Sequence, residues 1–425
     1  MKKSLEKIID DMWSKLVLII GDLMLDKFIW GSISRISAEA PVPIVNVEKV
    51  TYVPGGSGNT ANNVASLAGR AIAVGVVGDD SAGDILLNEL KIRNISIDGI
   101  FKDDTKHTIE KTRIMGESQH LLRYDYEENS YISNNVEAKI NDYLSGQVAD
   151  VNAVIISDYA KGSITEKLAR HLVNLCNKYD KVIIVDTKPK HSRFYKNVTL
   201  VKPNIKEAIE MSGEHDLIKA GGKLKKYFDA NILITRGKDG MSLFLKNGDY
   251  IEMPTRAREV YDVSGAGDTV MATIGSALGT RSSLEDAVHL ANIAAGIVVE
   301  KRGVVPVTME ELKNQLKIPF YPKVWGEERW LVNEDYCGKL LRLNKGFKSS
   351  LHYHKNKDET FYVTKGKVLL ELTKDRIIMN PGDLQRIRPG QIHRFSGLED
   401  SEIIEFSTHH EEEDSYRIEK SGKME

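Results

Sequence analysis

Two stretches of this chain combine residue types that could do chemistry. The first is YDVSGAGDT (261–269), followed by the helical run VMATIGSALG. Gly265, Ala266 and Gly267 let a turn expose backbone N–H groups where a helix begins. Such a terminus attracts anions through its unsatisfied donors and the helix dipole. Asp268, inside that turn, is placed to take the proton of an attacking hydroxyl while the amides hold phosphoryl charge. A glycine-rich helix cap with an acidic first turn accounts for the same residues without chemistry. The second stretch is GFKSSLHYHKNKDETFYVTKG (346–366). His352 and His354, two apart on a strand, face one side and can reach one ion. Glu359 returns after a short turn as a third ligand, and PGDLQRIRPGQIHRF (381–395) adds a turn and His393. Three imidazoles and a carboxylate suit a divalent transition ion such as Zn, Mn, Fe, Ni or Co. The plainer reading is a chance His pair on a surface strand. His409 and His410, in the charged tail HHEEEDSYRIEKSGKME, read as solvated.

Positioning these groups requires two kinds of scaffold. From about 14 to 300, short apolar runs alternate with helical patterns: KLVLIIGD (15–22), AIAVGVVGD (71–79), NAVIISD (152–158), KVIIVD (181–186) and NILITRG (231–237). Strands alternating with helices imply a mostly parallel α/β sheet, whose ligands sit beyond the carboxyl ends of the strands. Asp22, Asp158, Asp186 and Gly237 fall there. EAPVPIVNVEKVTYVP (39–54), rich in Pro and β-branched residues, suggests a small β lid. After a boundary near 318 the pattern changes to short strands and turns, which implies an all-β barrel or sandwich. The expected domains are therefore 1–318 and 319–425, without internal repeats.

Composition narrows the setting. The chain has 425 residues, 41% hydrophobic and 28% charged, with a formal net charge of −2. That charge gives no electrostatic reason to expect nucleic acid or an anionic membrane as partner. The two cysteines, Cys176 and Cys337, form no CxxC pair, which favours a reducing cytoplasm. No apolar run is long enough to span a membrane, and the N-terminal residues read as a short amphipathic helix.

The motifs together resemble the ribokinase-like (PfkB) carbohydrate kinases over about 1–315. PGGSGNTANNVASLAG (54–69) resembles that family's sugar-binding signature, YDVSGAGDT its second signature, and KPNIKEA (202–208) its Asn-x-x-Glu element. Within the family, GDLMLDKFIWGSISRISAEAPVPIVNVEK (21–49), SDYAKGSIT (157–165) and VDTKPKH (185–191) resemble the heptose 7-phosphate kinases. The resemblance implies ATP and Mg²⁺, and a heptose 1,7-bisphosphate as product. It implies that Asp22, Gly55, Gly56 and Asn59 hold sugar hydroxyls, that Asp268 deprotonates the anomeric hydroxyl, and that Gly265 and Gly267 amides form the anion hole. Asn204 and Glu207 would organise Mg²⁺ and phosphates, with Lys188, Thr235 and Gly237 on the nucleotide side. A sugar that already bears phosphate needs a cationic anchor, for which Arg35, Arg123 and Lys161 are the candidates and solvated surface charge the alternative. Asp26 either touches sugar or caps locally. Lids of this family mediate dimers, which leaves a homodimer open.

The His-rich stretch resembles the cupin signature, and KVWGEE (323–328), PGQIHRF (389–395) and EEEDSYRI (411–418) resemble the barrels of type II mannose-6-phosphate isomerases. Ser57-Gly58 and VDTKP depart from the kinase pattern and loosen its substrate; KDETF (357–361), where those isomerases carry Arg-x-Glu-His-Trp, loosens the isomerase substrate without removing a proposed ligand. Arg388 and Gly397 depart from the second cupin motif. Two readings follow: a kinase fused to a metal-dependent sugar-phosphate isomerase, or a kinase for another sugar or a nucleoside with a regulatory or dimerising cupin.

Overall fold

The apolar runs become adjacent strands in a computed structural model that describes residues 2–116, 119–255, 260–301, 303–317, 320–373 and 375–424. The chain divides into two compact units, Met1–Lys313 and Asn314–Glu425. The expected boundary at 318–319 lies outside the described residues.

Among the described residues the first unit contains thirteen strands. They are β1 (Leu16–Gly21), β2 (Leu23–Ile36), β3 (Pro43–Gly56), β4 (Arg70–Gly78), β5 (Ser96–Asp103), β6 (Ile109–Gly116) and β7 (Gln119–Tyr126). There follow β8 (Ala153–Asp158), β9 (Val182–Thr187), β10 (Leu200–Val201), β11 (Asn231–Thr235), β12 (Met241–Phe244) and β13 (Tyr250–Met253). Nine of them form a sheet in the order β13-β12-β11-β10-β9-β8-β1-β4-β5. Pairing is parallel from β11 to β5, and β12 and β13 close one edge antiparallel. Strands buried on both faces read as continuous Val/Ile runs, which is why they were visible in sequence. The chain leaves β1 toward β4 and β5, then returns to β8 on its other side. A crevice opens where strand order reverses, beyond Gly21 and Asp158.

The helix Ala266–Gly279 is buried along nearly its whole length, so it packs inside the unit rather than on its surface. Gly275 brings it close to the sheet, since a Cβ there would meet Ile155 Cδ1 at 2.7 Å. The lid is larger than 39–54. Four strands, in the order β3-β2-β6-β7, form a separate sheet, and residues 37–42 lie outside its strands.

Among its described residues the second unit is all β apart from the helical residues at its start and one short 3-10 turn. One sheet has the order Phe320–Lys323, Gly326–Asn333, Tyr336–Leu343, Ser401–Thr408, Glu359–Lys365, Leu384–Ile387. The other is built around His393–Gly397, flanked by Val368–Leu372 and by Phe347–Lys348 and Leu351–His354. Leu341, Phe361, Val363, Val368, Leu370, Phe395 and Ile403 form the core of this unit. Side chains alternate along each strand, so Glu359 shares the inward face of Phe361 and Val363. The register Phe361↔Glu405 and Lys339↔Glu405 turns Glu405 and Lys339 onto that same face.

Candidate phosphoryl-transfer and metal sites

The crevice of the first unit is organised by a buried carboxylate. Asp22 is fully buried, and its oxygens accept N–H groups of Tyr159 (2.8 Å), Lys161 (3.1 Å) and Ser163 (3.0 Å). Those bonds tie the end of β1 to the loop after β8, across the point of strand reversal. Burial, reinforced by the charge of Asp158, raises the Asp22 pKa even with these donors. Asp22 thus spends most of its acceptor capacity on the loop. Asp26 is the carboxylate that faces the glycine-rich turn: a Cβ at Gly55 would lie 2.4 Å from Asp26 Oδ2. Arg113 donates to Asp26 at 2.6 Å and lies over the Phe28 ring.

Asp268 lies in the first turn of the helix that starts after Gly265. Gly265 has φ 79°, which favours glycine, and a Cβ there would meet Asn59 Nδ2 at 2.9 Å. Asn59 Nδ2 donates to Asp268 Oδ2 at 2.7 Å. Thr60 Oγ1 and Tyr159 OH donate to Oδ1, each at 3.0 Å. The two glycine-rich signatures therefore meet at one carboxylate, although they are about two hundred residues apart in sequence. Burial raises the Asp268 pKa, the Asn59 contact opposes that, and the Asp186 charge adds to it. The Ala266 N–H turns back to Val263 O at 3.3 Å, so the amides of this turn that are open to a ligand are those that follow it.

Four of the five expected nucleotide-side residues touch in a chain. Asn204 and Glu207 form a reciprocal capping box at the helix Ile205–Ser212. Lys188 Nζ lies 2.6 Å from Glu207 Oε1, and Thr235 bridges Asn204. Gly237, with φ 59°, begins the short helical turn after β11. The expected phosphate anchors separate. Lys161 is half-buried and paired with Glu127 at 2.6 Å, whereas Arg123 is exposed and paired with Asp125. Arg35 stands nine residues beyond Asp26 along β2, roughly 30 Å at the usual strand rise, and is exposed. It is set apart from the crevice by the length of the strand. Lys111 was not expected: it is half-buried, and its Nζ lies 5.8 Å from the centroid of the Tyr159 ring.

In the second unit, the ligand nitrogens of His352, His354 and His393 lie within 4.8 Å of one another. Register places His352 opposite His393. Each ring offers Nδ1 to a backbone carbonyl: His352 to Ser350 O (2.8 Å), His354 to Asp414 O (2.9 Å) and His393 to Gln391 O (3.0 Å). A proton held on Nδ1 leaves the Nε2 lone pairs free, the arrangement of metal-ligating imidazoles. Burial, with the neighbouring His393, pushes the His352 pKa down to about 3, so this imidazole is neutral at pH 7. Glu359 Oε1 lies 2.9 Å from His393 Nε2 and 3.7 Å from His354 Nε2. Neither Glu359 Oε1 nor His393 Nε2 makes a well-aligned hydrogen bond, although both are buried. Two facing acceptors without a proton between them fit a cation bound there.

Behind the cluster runs an ion network. Lys357 lies 2.6 Å from Glu359 Oε2 and 2.5 Å from Glu405 Oε1, and all three are buried. Burial opposes ionisation of Glu359, but the His393 contact and the Lys357 charge hold it well below the usual carboxylate range. Asp414 accepts the N–H groups of Lys355, Asn356 and Lys357, fixing the turn between His354 and Glu359. The cavity holding these groups measures about 600 Å³ and is also lined by His410 and Arg417. His410 corrects the expectation of a solvated tail: it is 8% exposed and packs edge-on against Trp330. His409 is exposed.

A carboxylate held by three donors at a helix N-terminus, on a parallel sheet with a β lid, defines a kinase of the ribokinase fold. Two solved structures share that fold. The Arabidopsis thaliana ribokinase complexed with ribose and ATP aligns with a TM-score of 0.56 at 18% identity, covering 72% of this chain and 99% of that one. The Escherichia coli phosphofructokinase-2 in complex with fructose-6-phosphate gives 0.58 at 18% identity, covering 72% and 98%. The pfkB family carbohydrate kinase model matches residues 14–311, and the chain belongs to that family. A cupin domain model matches residues 339–407. Among curated relatives, the bifunctional protein HldE of Desulfatibacillum aliphaticivorans is 41% identical over 307 residues, covering 71% of this chain and 63% of the relative. The HldE of Helicobacter pylori strain G27 is 35% identical over 361 residues, covering 84% and 77%. The chain thus spans under two thirds of the length of the first of these.

Proposed function

We propose that this carbohydrate kinase transfers the γ-phosphoryl group of ATP to the anomeric hydroxyl of D-glycero-D-manno-heptose 7-phosphate, giving the 1,7-bisphosphate. The observation that carries the reading is Asp268, buried at a helix N-terminus and gripped by Asn59 and Thr60 of the sugar-binding signature. In this reading Asp268 takes the hydroxyl proton as the oxygen attacks the γ-phosphorus. The bond from that phosphorus to the β-phosphate oxygen breaks, and ADP leaves. First-turn amides of the helix hold the charge in flight. Asn204 and Glu207, both oxygen donors, suit Mg²⁺, which would neutralise phosphate charge there. Lys161 and Lys111 are the cations available for the phosphate the sugar already bears. A homodimer through the lid belongs to the same proposal, supported by the exposed Val47, Leu122 and Tyr124. The test is a panel of acceptors with ATP, including heptose 7-phosphate, ribose, fructose 6-phosphate and a nucleoside. Heptose 7-phosphate is expected to be turned over fastest; if it is inert while another acceptor reacts, the assignment fails.

For the second unit we propose a metal-dependent isomerisation of a sugar phosphate, with sedoheptulose 7-phosphate as substrate. His352, His354, His393 and Glu359 would hold a divalent transition ion, which when bound supplies Lewis-acid polarisation of a carbonyl or hydroxyl. The three backbone-anchored imidazoles support this reading. The cavity, about 600 Å³, suits a small ligand. Elemental analysis is expected to find about one ion per chain, lost in His352→Ala and His393→Ala. Incubation with sedoheptulose 7-phosphate and each of Zn, Mn, Fe, Ni and Co should yield an aldose phosphate. No such product with any metal would remove the isomerase.

A further inference from the structure

The loop motif SDYAKG places one aromatic residue against the catalytic centre, and neither the glycine-rich signatures nor the family assignment accounts for it. We propose that Tyr159 is a positioning residue for the base: its hydroxyl, with that of Thr60, fixes Oδ1 of Asp268 and leaves Oδ2 to take the acceptor's proton. This rests on the reading of Asp268 as the base.

The geometry distinguishes the two oxygens. Oδ1 accepts from both Thr60 and Tyr159, each at 3.0 Å, which fills its two lone-pair directions. Among the described residues Oδ2 accepts only from Asn59, at 2.7 Å, so one of its lone pairs remains open. The carboxylate plane is therefore set by donors from three directions. Two come from the helix Ser57–Ser66, and the third comes from the loop after β8.

Tyr159 is itself held at both ends. Its backbone N–H donates to Asp22 Oδ2 at 2.8 Å, so the fully buried Asp22 fixes the loop from which the ring projects. Lys111 Nζ lies 5.8 Å and Lys188 Nζ 5.4 Å from the ring centroid. Lys111 belongs to the lid, and Lys188 carries the contact to Glu207 on the nucleotide side. One residue thus links the base through its hydroxyl, the loop anchor through its backbone N–H, and a lid lysine and the nucleotide-side lysine through its ring. Burial, then the Asp268 charge, raises the phenol well above its ordinary value, so it stays a donor rather than becoming a second base. The charged groups around the pair are Asp186 at the end of β9, Lys202 paired with it at 2.8 Å, Lys188, Lys111 and Asp26.

The experiment measures kcat and both KM values against pH, with ATP and heptose 7-phosphate, for the full chain and its Tyr159→Phe, Thr60→Val, Thr60→Ser and Asp268→Asn variants. Tyr159→Phe keeps the ring between the lysines and removes only the donor. Its kcat is expected to fall about tenfold, the size of one hydrogen bond to a charged group. Both KM values should stay within about twofold, since the bond matters on the way to the transition state. The acidic limb of its kcat profile should move to higher pH, because a donor that favoured the carboxylate has gone. Thr60→Val should move the limb the same way, and Thr60→Ser should restore it. These two keep the proposal open to refutation should Tyr159→Phe fail to fold. A Tyr159→Phe variant with unchanged kcat and limb, beside an inactive Asp268→Asn, overturns the proposal and leaves the base in place. A loss of kcat without displacement of the limb also overturns it, since a purely structural residue would behave so. An active Asp268→Asn instead removes the underlying reading.

Discussion

Asp268→Asn is expected to lower kcat by about 10²–10⁴-fold, the usual range for loss of a general base, with KM values within about twofold. The substitution keeps the shape of the side chain and one acceptor oxygen for Thr60 and Tyr159. It removes the capacity to take a proton, and with it the acceptor oxygen that faces Asn59 Nδ2. The wild-type pH profile offers a second check. Burial places the Asp268 pKa above that of an ordinary aspartate, and the nearby Asp186 charge adds to the shift. The base works only when deprotonated, so kcat should be full above that raised value and fall as pH drops through it. The fall should therefore come at a higher pH than an exposed aspartate would give. Steady-state rates from about pH 4 to 9 would show it. Near-wild-type turnover in Asp268→Asn would remove the residue from the chemistry.

The second large effect concerns stability. Lys357→Met should destabilise the second unit by about 3–5 kcal/mol, the cost of stripping the partner from a buried charge. Lys357 sits between Glu359 and Glu405, and burial disfavours the ionised form of both. Without the ammonium, two buried carboxylates face each other with Lys339, 3.8 Å from Glu405, as the remaining nearby cation among the described residues. Methionine nearly matches the length of the stem, so packing alone would not produce such a loss. Denaturant unfolding followed by fluorescence would measure it, because Trp325 and Trp330 belong to this unit. Adding Glu405→Gln to Lys357→Met should recover part of the loss, since the two positions are in contact and their effects should not add. If Lys357→Met unfolds at the wild-type denaturant midpoint, the network is not holding the barrel interior.

What could be read from the residues follows their local physics. The parallel strands announced themselves because a strand covered on both faces must be apolar throughout. The helix N-terminus at Gly265 was legible because a positive φ next to an amide cradle leaves glycine as the favoured residue. The lid strands β6 and β7 were missed because IEKTRIMG and QHLLRYDY mix polar and apolar residues without forming an apolar run, and β7 is almost wholly exposed. Asp22 and Asp26 both belong to GDLMLD, and spacing could not tell the one that binds a loop from the one that faces the glycine-rich turn. Arg35 looked equivalent to Lys161 because sequence hides how far a long strand runs. Lys357, Glu405 and Lys339 escaped notice because only strand register brings residues so far apart in sequence together. His410 was lost in a run of acidic residues whose charge suggested solvent.

Asp414 carries a consequence for how separable the barrel is. It lies beyond the 339–407 segment that matches the cupin model, yet its carbonyl orients His354 and its carboxylate fixes the backbone of 355–357. The family-defining segment is therefore not a self-sufficient module. Grafting 339–407 alone onto another scaffold would transfer all four proposed ligands and leave behind the group that aims one of them. The portable unit has to run at least through Ser415–Glu419, the strand that pairs with Leu351–His354.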